Sequence, residues 1–168
     1  MELFTDRLKL VCHTLEDMKI LKDSVWKYED NMGLKHNEKT DSGDEIANDF
    51  YYAYLYHQEH YPNEDLLWLR TWNFILSQEN IRIGGACFKG EPNDVGLVEI
   101  GYGINEQYQK KGFAMEAVGA LVDWAKKQKN VLYVITEIEK DNIASIKVAE
   151  NIAMVKYKET EENFYYRK

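Results

Sequence analysis

Leu8-Lys9-Leu10-Val11-Cys12 alternates closely enough to predict a first strand. Thr14 then reads as a helix N-cap, with Asp17 at the third position of a capping box ahead of Met18, Ile20 and Leu21. Residues 31–43 hold Gly, Asn, Asp and Thr and predict a loop. Over 44–60, the spacing of Ile46, Ala47, Phe50, Tyr54 and Tyr56 predicts a second helix, ended at Pro62-Asn63. The apolar runs 67–76 and 81–88, joined by Ser77-Gln78-Glu79-Asn80, suit a hairpin. Glu91-Pro92-Asn93-Asp94 is a further turn, leading into an apolar strand over 97–104. From 112 to about 129, Ala117, Val118, Ala120, Leu121, Trp124 and Ala125 recur at helical spacing. A Val- and Ile-rich strand over 131–138, a short helix over 142–151 and short strands over 155–158 and 164–167 close the chain. The order predicts an α/β fold with a mixed sheet. With no internal repeat and no low-complexity linker, one domain over 1–168 is expected.

Composition narrows the class. The 168 residues are 45% hydrophobic and 13% aromatic, which excludes disorder and allows a real core. No run of about 18 apolar residues occurs, so no membrane span is expected. Met1-Glu2-Leu3-Phe4-Thr5-Asp6-Arg7 is not a basic segment followed by an apolar one, so the expectation is a cytoplasmic protein without a secretory signal. Cys12 and Cys87, both in apolar stretches, read as free buried thiols. His57 and His60 lie three apart while His13 and His36 are isolated, so no metal is expected. Ser24, Ser42 and Ser77 lack the context of a nucleophile elbow.

The net charge of −8 argues against a nucleic-acid partner. Eleven acids and three bases fall between residues 23 and 65, so this segment carries the whole excess. It is either a solvated acidic face or a region that steers a cationic substrate. Phe50, Tyr51, Tyr52, Tyr54 and Tyr56, with Tyr61 and Trp68, are either core and interface residues or the lining of a pocket for a cationic amine.

The richest chemistry lies in Gln109-Lys110-Lys111-Gly112-Phe113-Ala114, between a strand and a helix. The first N–H groups of a helix lack intrahelical partners, and with the helix dipole they form a site for phosphate or pyrophosphate. Gly112 permits close backbone approach, and Lys110 and Lys111 add positive charge. The run also meets the acyl-CoA signature of the GNAT superfamily: Gln or Arg, two residues, Gly, one residue, then Gly or Ala. Glu99-Ile100-Gly101-Tyr102 and the opening Thr5-Asp6-Arg7-Leu8-Lys9-Leu10 resemble the ribosomal-protein alanine acetyltransferase branch. Asn142-Ile143-Ala144-Ser145 is similar to the family's Asn-x-x-Ser segment. The chain is therefore identified, over nearly its whole length, as resembling the acetyl-CoA-dependent N-acetyltransferases.

That resemblance implies a mixed, mostly antiparallel sheet flanked by helices, with splayed central strands that hold the pantetheine arm of acetyl-CoA. Tyr102, Gly103 and Ile104 would contact the arm, and the amides of Gln109, Lys110, Lys111, Gly112, Phe113 and Ala114 the pyrophosphate. Asn142 would touch the arm, cap a helix, or both. The implied reaction is direct attack on acetyl-CoA, in a ternary complex, by a primary amine. The acceptor would be a peptide or protein N-terminus, or a small cationic amine such as a polyamine or aminoglycoside.

An ammonium must lose a proton before it attacks, and Glu99 is the candidate base. It shares a strand face with Gly101 and Gly103, which leave room beside it; the alternative is an ordinary solvent-facing residue. A backbone N–H of the same strand would hold the oxyanion. The family's usual acid is a Tyr four residues before a helix-ending Gly; here Ala153 ends the helix and Ala149 stands at the Tyr position, leaving Ser145. A non-catalytic acyl-CoA-binding or sensing domain is the alternative function. A nucleotide-binding regulator would need a Walker sequence that the chain lacks. The aromatics of the second helix and Phe164-Tyr165-Tyr166 are candidate faces for a homodimer.

Overall fold

The computed structural model describes residues 1–37, 41–61 and 66–168. Its strands are β1 (Glu2–Phe4), β2 (Leu8–Cys12), β3 (Thr71–Leu76), β4 (Ile81–Phe88), β5 (Leu97–Ile104), β6 (Tyr133–Glu139), β7 (Val155–Glu159) and β8 (Asn163–Arg167). Its α-helices are α1 (Leu15–Leu21), α2 (Val25–Met32), α3 (Glu45–His60), α4 (Phe113–Ala125) and α5 (Ile143–Asn151). The strands form one sheet in the order β1-β2-β3-β4-β5-β6-β8-β7. Every pairing is antiparallel except β5 with β6. No helix among the described residues is long and apolar enough to cross a membrane.

All six residues of β3 are buried, because helices cover both faces of the sheet there. On one face, Leu8, Leu10, Trp72, Phe74, Val98 and Ile100 pack with Ala117, Val118 and Leu121 of α4 and Ala149 of α5. On the other, Val11 and Ile75 pack with Leu21, Val25, Tyr28 and Ala47 from α1, α2 and α3. Trp68, Phe88, Trp72 and Trp124 form an aromatic cluster on the α4 side, with Trp68 edge-on to Phe88 at 5.1 Å between ring centroids. Trp68 is thus a core residue.

The capping box at Thr14 forms as its spacing predicts: Asp17 N donates to Thr14 Oγ1 at 3.1 Å and Thr14 N to Asp17 Oδ2 at 2.8 Å. Two elements were not expected. Ser24 caps α2, accepting from Lys27 N at 3.0 Å, and Gly33 ends it at φ 67°, so the first helical stretch is two helices rather than one. β1 is three residues long, too short for its alternation to register. Residues 66–69 form a 3₁₀ turn, and the strand expected from 67 begins at Thr71. α4 ends at Ala125, short of the expected 129. α3 ends at His60, and Pro62-Asn63 lie outside the described residues.

The feature that positions the site is the separation of β5 from β6. Only Leu97, Val98 and Glu99 of β5 pair with β6, whereas Ile100 to Ile104 pair with β4 on the other side. β4 is held closely on both sides here: a Cβ at Gly84 would lie 2.2 Å from Gly103 O on β5, and one at Gly85 2.6 Å from Trp72 O on β3. The register slips between Phe74 and Ile75, the mark of a bulge that bends the sheet at this point.

α5 ends in a full Schellman motif. Met154 N donates to Ala149 O at 2.9 Å and Ala153 N to Glu150 O at 3.0 Å, with Ala153 left-handed at φ 60°. Alanine is strained there in a way glycine is not. Ala153→Gly is therefore expected to stabilise the fold by about 0.5–1 kcal/mol, read as a higher urea midpoint at unchanged slope. A lower midpoint would show that the cap does not govern this end of α5.

Candidate functional site

The run from Gln109 to Ala114 forms a tight turn at the head of α4. Gln109 ties back to the end of β5, its Nε2 donating to Ile104 O at 2.9 Å. Lys110 is left-handed at φ 61° and Gly112 at φ 82°. Gly112 is the N-cap and supplies no side-chain acceptor, so the first amides of α4 are not capped from within their own turn. Lys111 places its ammonium 5.3 Å from the Tyr108 ring centroid.

The turn is braced from the β1–β2 connection. Arg7 Nη1 donates to Lys111 O at 3.0 Å, Arg7 Nε to Glu116 Oε2 at 2.7 Å, and the guanidinium lies 4.5 Å over the Phe113 ring. Thr5 Oγ1 and Arg7 N both donate to Glu116 Oε1, at 2.6 and 2.8 Å. Partial burial opposes charge on Glu116, but these bonds outweigh it and hold the carboxyl below its usual value. In the sequence, Thr5 and Arg7 carried only a resemblance; the structure joins them to the first turn of α4.

Beside the separated strands lies a cavity of about 410 Å³, floored by Gly84, Gly85, Gly101 and Gly103 and walled by His13, Asp44, Thr71 and Arg82. A Cβ at Gly103 would meet nothing within 4 Å, and one at Gly101 would touch only Cys87 Sγ, at 3.7 Å. Both glycines therefore open space on the cavity side. Burial pushes the Cys87 thiol up to about 11, and both cysteines are free.

Glu99 is on the face expected from strand alternation, next to Gly101, but it does not line this cavity. Its carboxylate forms an ion pair with Lys89, and Lys89 N donates to Glu99 O at 2.9 Å. Asn142 caps α5, its Oδ1 accepting from Ser145 N at 3.0 Å. Tyr102 reaches from β5 to the same turn, its hydroxyl donating to Ser145 O at 3.4 Å. Tyr102, Asn142 and Ser145 are thus brought together across the gap beyond Glu99. Ala149, at the position of the family's usual Tyr, is buried against the core.

The comparisons with known proteins agree with this geometry. The model of the Acetyltransferase (GNAT) domain matches residues 7–155. The chain belongs to the GNAT acetyltransferase family. It is 30% identical over 153 residues to YjdG, an uncharacterized N-acetyltransferase of Bacillus subtilis (strain 168), covering 90% of this chain and 88% of that protein. Its fold is shared with the ribosomal-protein-S5-alanine acetyltransferase of Vibrio fischeri, at TM-score 0.68 and 14% identity, over 100% of this chain and 96% of the other. RimL, a ribosomal L7/L12 alpha-N-protein acetyltransferase solved with coenzyme A, is similar at TM-score 0.68 and 15% identity, over 100% of this chain and 97% of that one.

In this GNAT enzyme several of the described carboxylates of the acidic segment are engaged by local partners. Asp44 caps α3 by accepting from Ala47 N at 2.9 Å and forms an ion pair with Arg82. Asp41 accepts from Ser24 Oγ at 2.6 Å and Trp26 N at 3.0 Å, and Asp30 pairs with His36. None of the aromatics from Phe50 to Tyr56 lines the cavity, nor do Tyr61 and Trp68. The pocket reading of that cluster is corrected: Tyr54 and Trp68 are buried in packing, while Tyr52 and Tyr56 face outward. The Phe164-Tyr165-Tyr166 end is likewise used internally, since β8 lies between β6 and β7 and Tyr166 is buried.

A buried polar chain runs instead behind the cavity wall. Arg82 Nε donates to Asn73 Oδ1 at 3.0 Å, Asn73 Nδ2 to Tyr28 Oη at 3.1 Å; Tyr28 Oη and His13 Nε2 lie 3.0 Å apart, and His13 Nδ1 and Thr71 Oγ1 2.7 Å apart. Burial, with Arg82 nearby, lowers the His13 pKa to about 4, so its imidazole is neutral at pH 7. The unfolded chain takes up this proton near pH 6.5 and the folded one only near 4. The resulting stability is complete above about pH 6.5, is lost as pH falls toward 4, and amounts to roughly 3 kcal/mol. Acidification from pH 7 to 4.5 is thus expected to destabilise the wild type by about 2 kcal/mol more than His13→Gln, measured by urea unfolding. Equal losses in the two proteins would contradict a buried neutral His13.

Proposed function

We propose that this chain acts as a single N-acetyltransferase domain that binds acetyl-CoA in the gap between β5 and β6 and transfers its acetyl group directly to a primary amine. The observation that carries this reading is the continuity of an unpaired β5 edge with a glycine-capped helix start. The free edge at Tyr102 and Ile104, whose backbone groups alternate away from β4, offers the donors and acceptors that the amides of a pantetheine arm require. The amides of residues 109–114, with the charges of Lys110 and Lys111, suit a pyrophosphate. Asn142 keeps its Nδ2 for the arm while its Oδ1 caps α5.

The acceptor amine would enter through the glycine-floored cavity. Glu99, steadied by Lys89, is the candidate base acting directly or through water, and Ser145 the candidate acid. Similarity to ribosomal-protein acetyltransferases supports a peptide N-terminus as acceptor. A small cationic amine draws on the acid excess of the sequence, part of which caps and ion pairs occupy at Asp23, Asp30, Asp41 and Asp44. A second reading, an acyl-CoA sensor without turnover, is favoured by the buried Ala149 at the usual acid's position.

A thermal-shift series with acetyl-CoA, CoA and ATP, followed by thiol release across an amine panel, separates the readings. Acetyl-CoA at 100 times its Kd is expected to stabilise the fold by about 2.7 kcal/mol, with thiol release on at least one amine class. Stabilisation without release on any amine favours the sensor, and no stabilisation by either CoA species removes both readings. Gly112→Trp, bulky at a left-handed N-cap, is expected to raise the KM for acetyl-CoA at least tenfold. Glu99→Gln is expected to lower kcat and abolish the rise of rate with pH; an unchanged pH–rate profile removes Glu99 as the base.

A further inference from the structure

The polar chain behind the cavity fixes the direction of each of its hydrogen bonds. Arg82 can only donate, so the Asn73 oxygen faces Arg82 and its NH₂ group faces Tyr28. Tyr28 Oη, fully buried, accepts from Asn73 and must place its own hydrogen elsewhere; the remaining acceptor within reach is His13 Nε2. A Tyr28 hydrogen on Nε2 requires the neutral imidazole to carry its proton on Nδ1, and that proton goes to Thr71 Oγ1. Thr71 therefore accepts from His13. Its own hydrogen is left for the cavity, whose wall it forms.

The opposite arrangement, with Thr71 donating to Nδ1 and His13 Nε2–H to Tyr28, would give Tyr28 two donors and leave its own hydrogen buried without an acceptor. An orphaned buried donor costs about 1–3 kcal/mol, enough to decide the direction. Thr71 is opposite Cys87, and Cys87 is opposite Gly101, the first β5 residue but one past the last β5–β6 pair. Two strand spacings, roughly 10 Å, separate the Thr71 and Gly101 backbones, with Cys87 between them.

We infer that Thr71 is a specificity-determining donor, and that the acceptor carries, several bonds from its reacting nitrogen, a neutral oxygen that accepts the Thr71 hydroxyl hydrogen. This rests on the acetyltransferase reading. A peptide carbonyl or a sugar hydroxyl has the required chemistry. A protonated polyamine does not: its ammonium groups only donate, so the Thr71 hydrogen would be sealed in without a partner. Among the described residues the one carboxylate on the wall, Asp44, is already paired with Arg82, so it offers a second ammonium no unshared charge.

The test compares kcat/KM for amines matched in length with and without the oxygen: alanyl-alaninamide, an amino sugar, spermidine and a plain alkylamine. The wild type is expected to favour at least one oxygen-bearing amine over the alkylamine and spermidine by tenfold or more, and the favoured compound distinguishes carbonyl from hydroxyl. Thr71→Val should reduce that ratio to about threefold or less through a higher KM, and Thr71→Ser should restore it. Equal use of all four amines, or a ratio untouched in Thr71→Val, overturns the inference while leaving the acetyltransferase reading intact. Turnover of no amine overturns the acetyltransferase reading and the acceptor requirement with it. The orientation of Thr71 has its own readout in the folded protein at pH 7: ¹⁵N resonances of His13 should show Nδ1 protonated and Nε2 bare. An Nε2-protonated ring overturns the orientation whatever the enzyme acetylates.

Discussion

The site depends on one constraint: beyond Glu99, β5 pairs with β4 and not with β6. Backbone groups in a sheet are normally paired, and an unpaired stretch between two central strands is a functional opening rather than an economy of folding. The close contact of Gly84 with Gly103 holds β5 to β4, that of Gly85 with Trp72 holds β4 to β3, and α4 begins only after a tight turn that Gln109 ties back to Ile104. The same strand thus ends in an open edge and feeds a helix whose first amides point outward. Arg7 and Glu116 lock this turn to the β1–β2 connection, so the β1–β2 edge of the sheet is fixed to the helix start that follows its central strand.

The second organising element is the chain from Arg82 to Thr71. It places five polar side chains between two hydrophobic clusters and satisfies them by linking each to the next. Fully connected buried networks specify a single arrangement, since reversal of any one bond leaves a polar atom orphaned. The network joins a structural helix cap, Asp44 on α3, to the wall of the cavity through Arg82. The wall of the cavity is consequently polar and directional, with the Asp44 carboxylate paired to Arg82.

Much of this was legible locally. Thr14 with Asp17, the Ser77–Asn80 hairpin and the Gly112 helix start are patterns of a few neighbouring residues, and each forms as written in the sequence. Ala153 was readable as the end of α5 for the same reason, although it takes a conformation glycine prefers. Ser24 also marks the start of α2 in plain view, and Gly33, which falls in the loop expected over 31–43, ends it. What could not be read is long-range. Tyr28, Thr71, Asn73 and Arg82 come from three separate elements and His13 from the connection after β2, and Arg7 meets Glu116 across more than a hundred residues. A count of acids gives their field but not their partners, so Asp41 and Asp44 looked like steering charges while serving as helix and loop anchors.

Residue-resolved amide hydrogen exchange, with and without acetyl-CoA, tests the central claim most directly, because it reports on backbone groups that the separated strands leave unpaired. Binding in the gap should slow exchange at Tyr102 and Ile104 and at the amides from Lys111 to Met115, with β1 and β7 amides unaffected beyond the global stabilisation. Slowing confined to other surfaces, with the β5 edge and the start of α4 unchanged at saturating acetyl-CoA, would contradict the account.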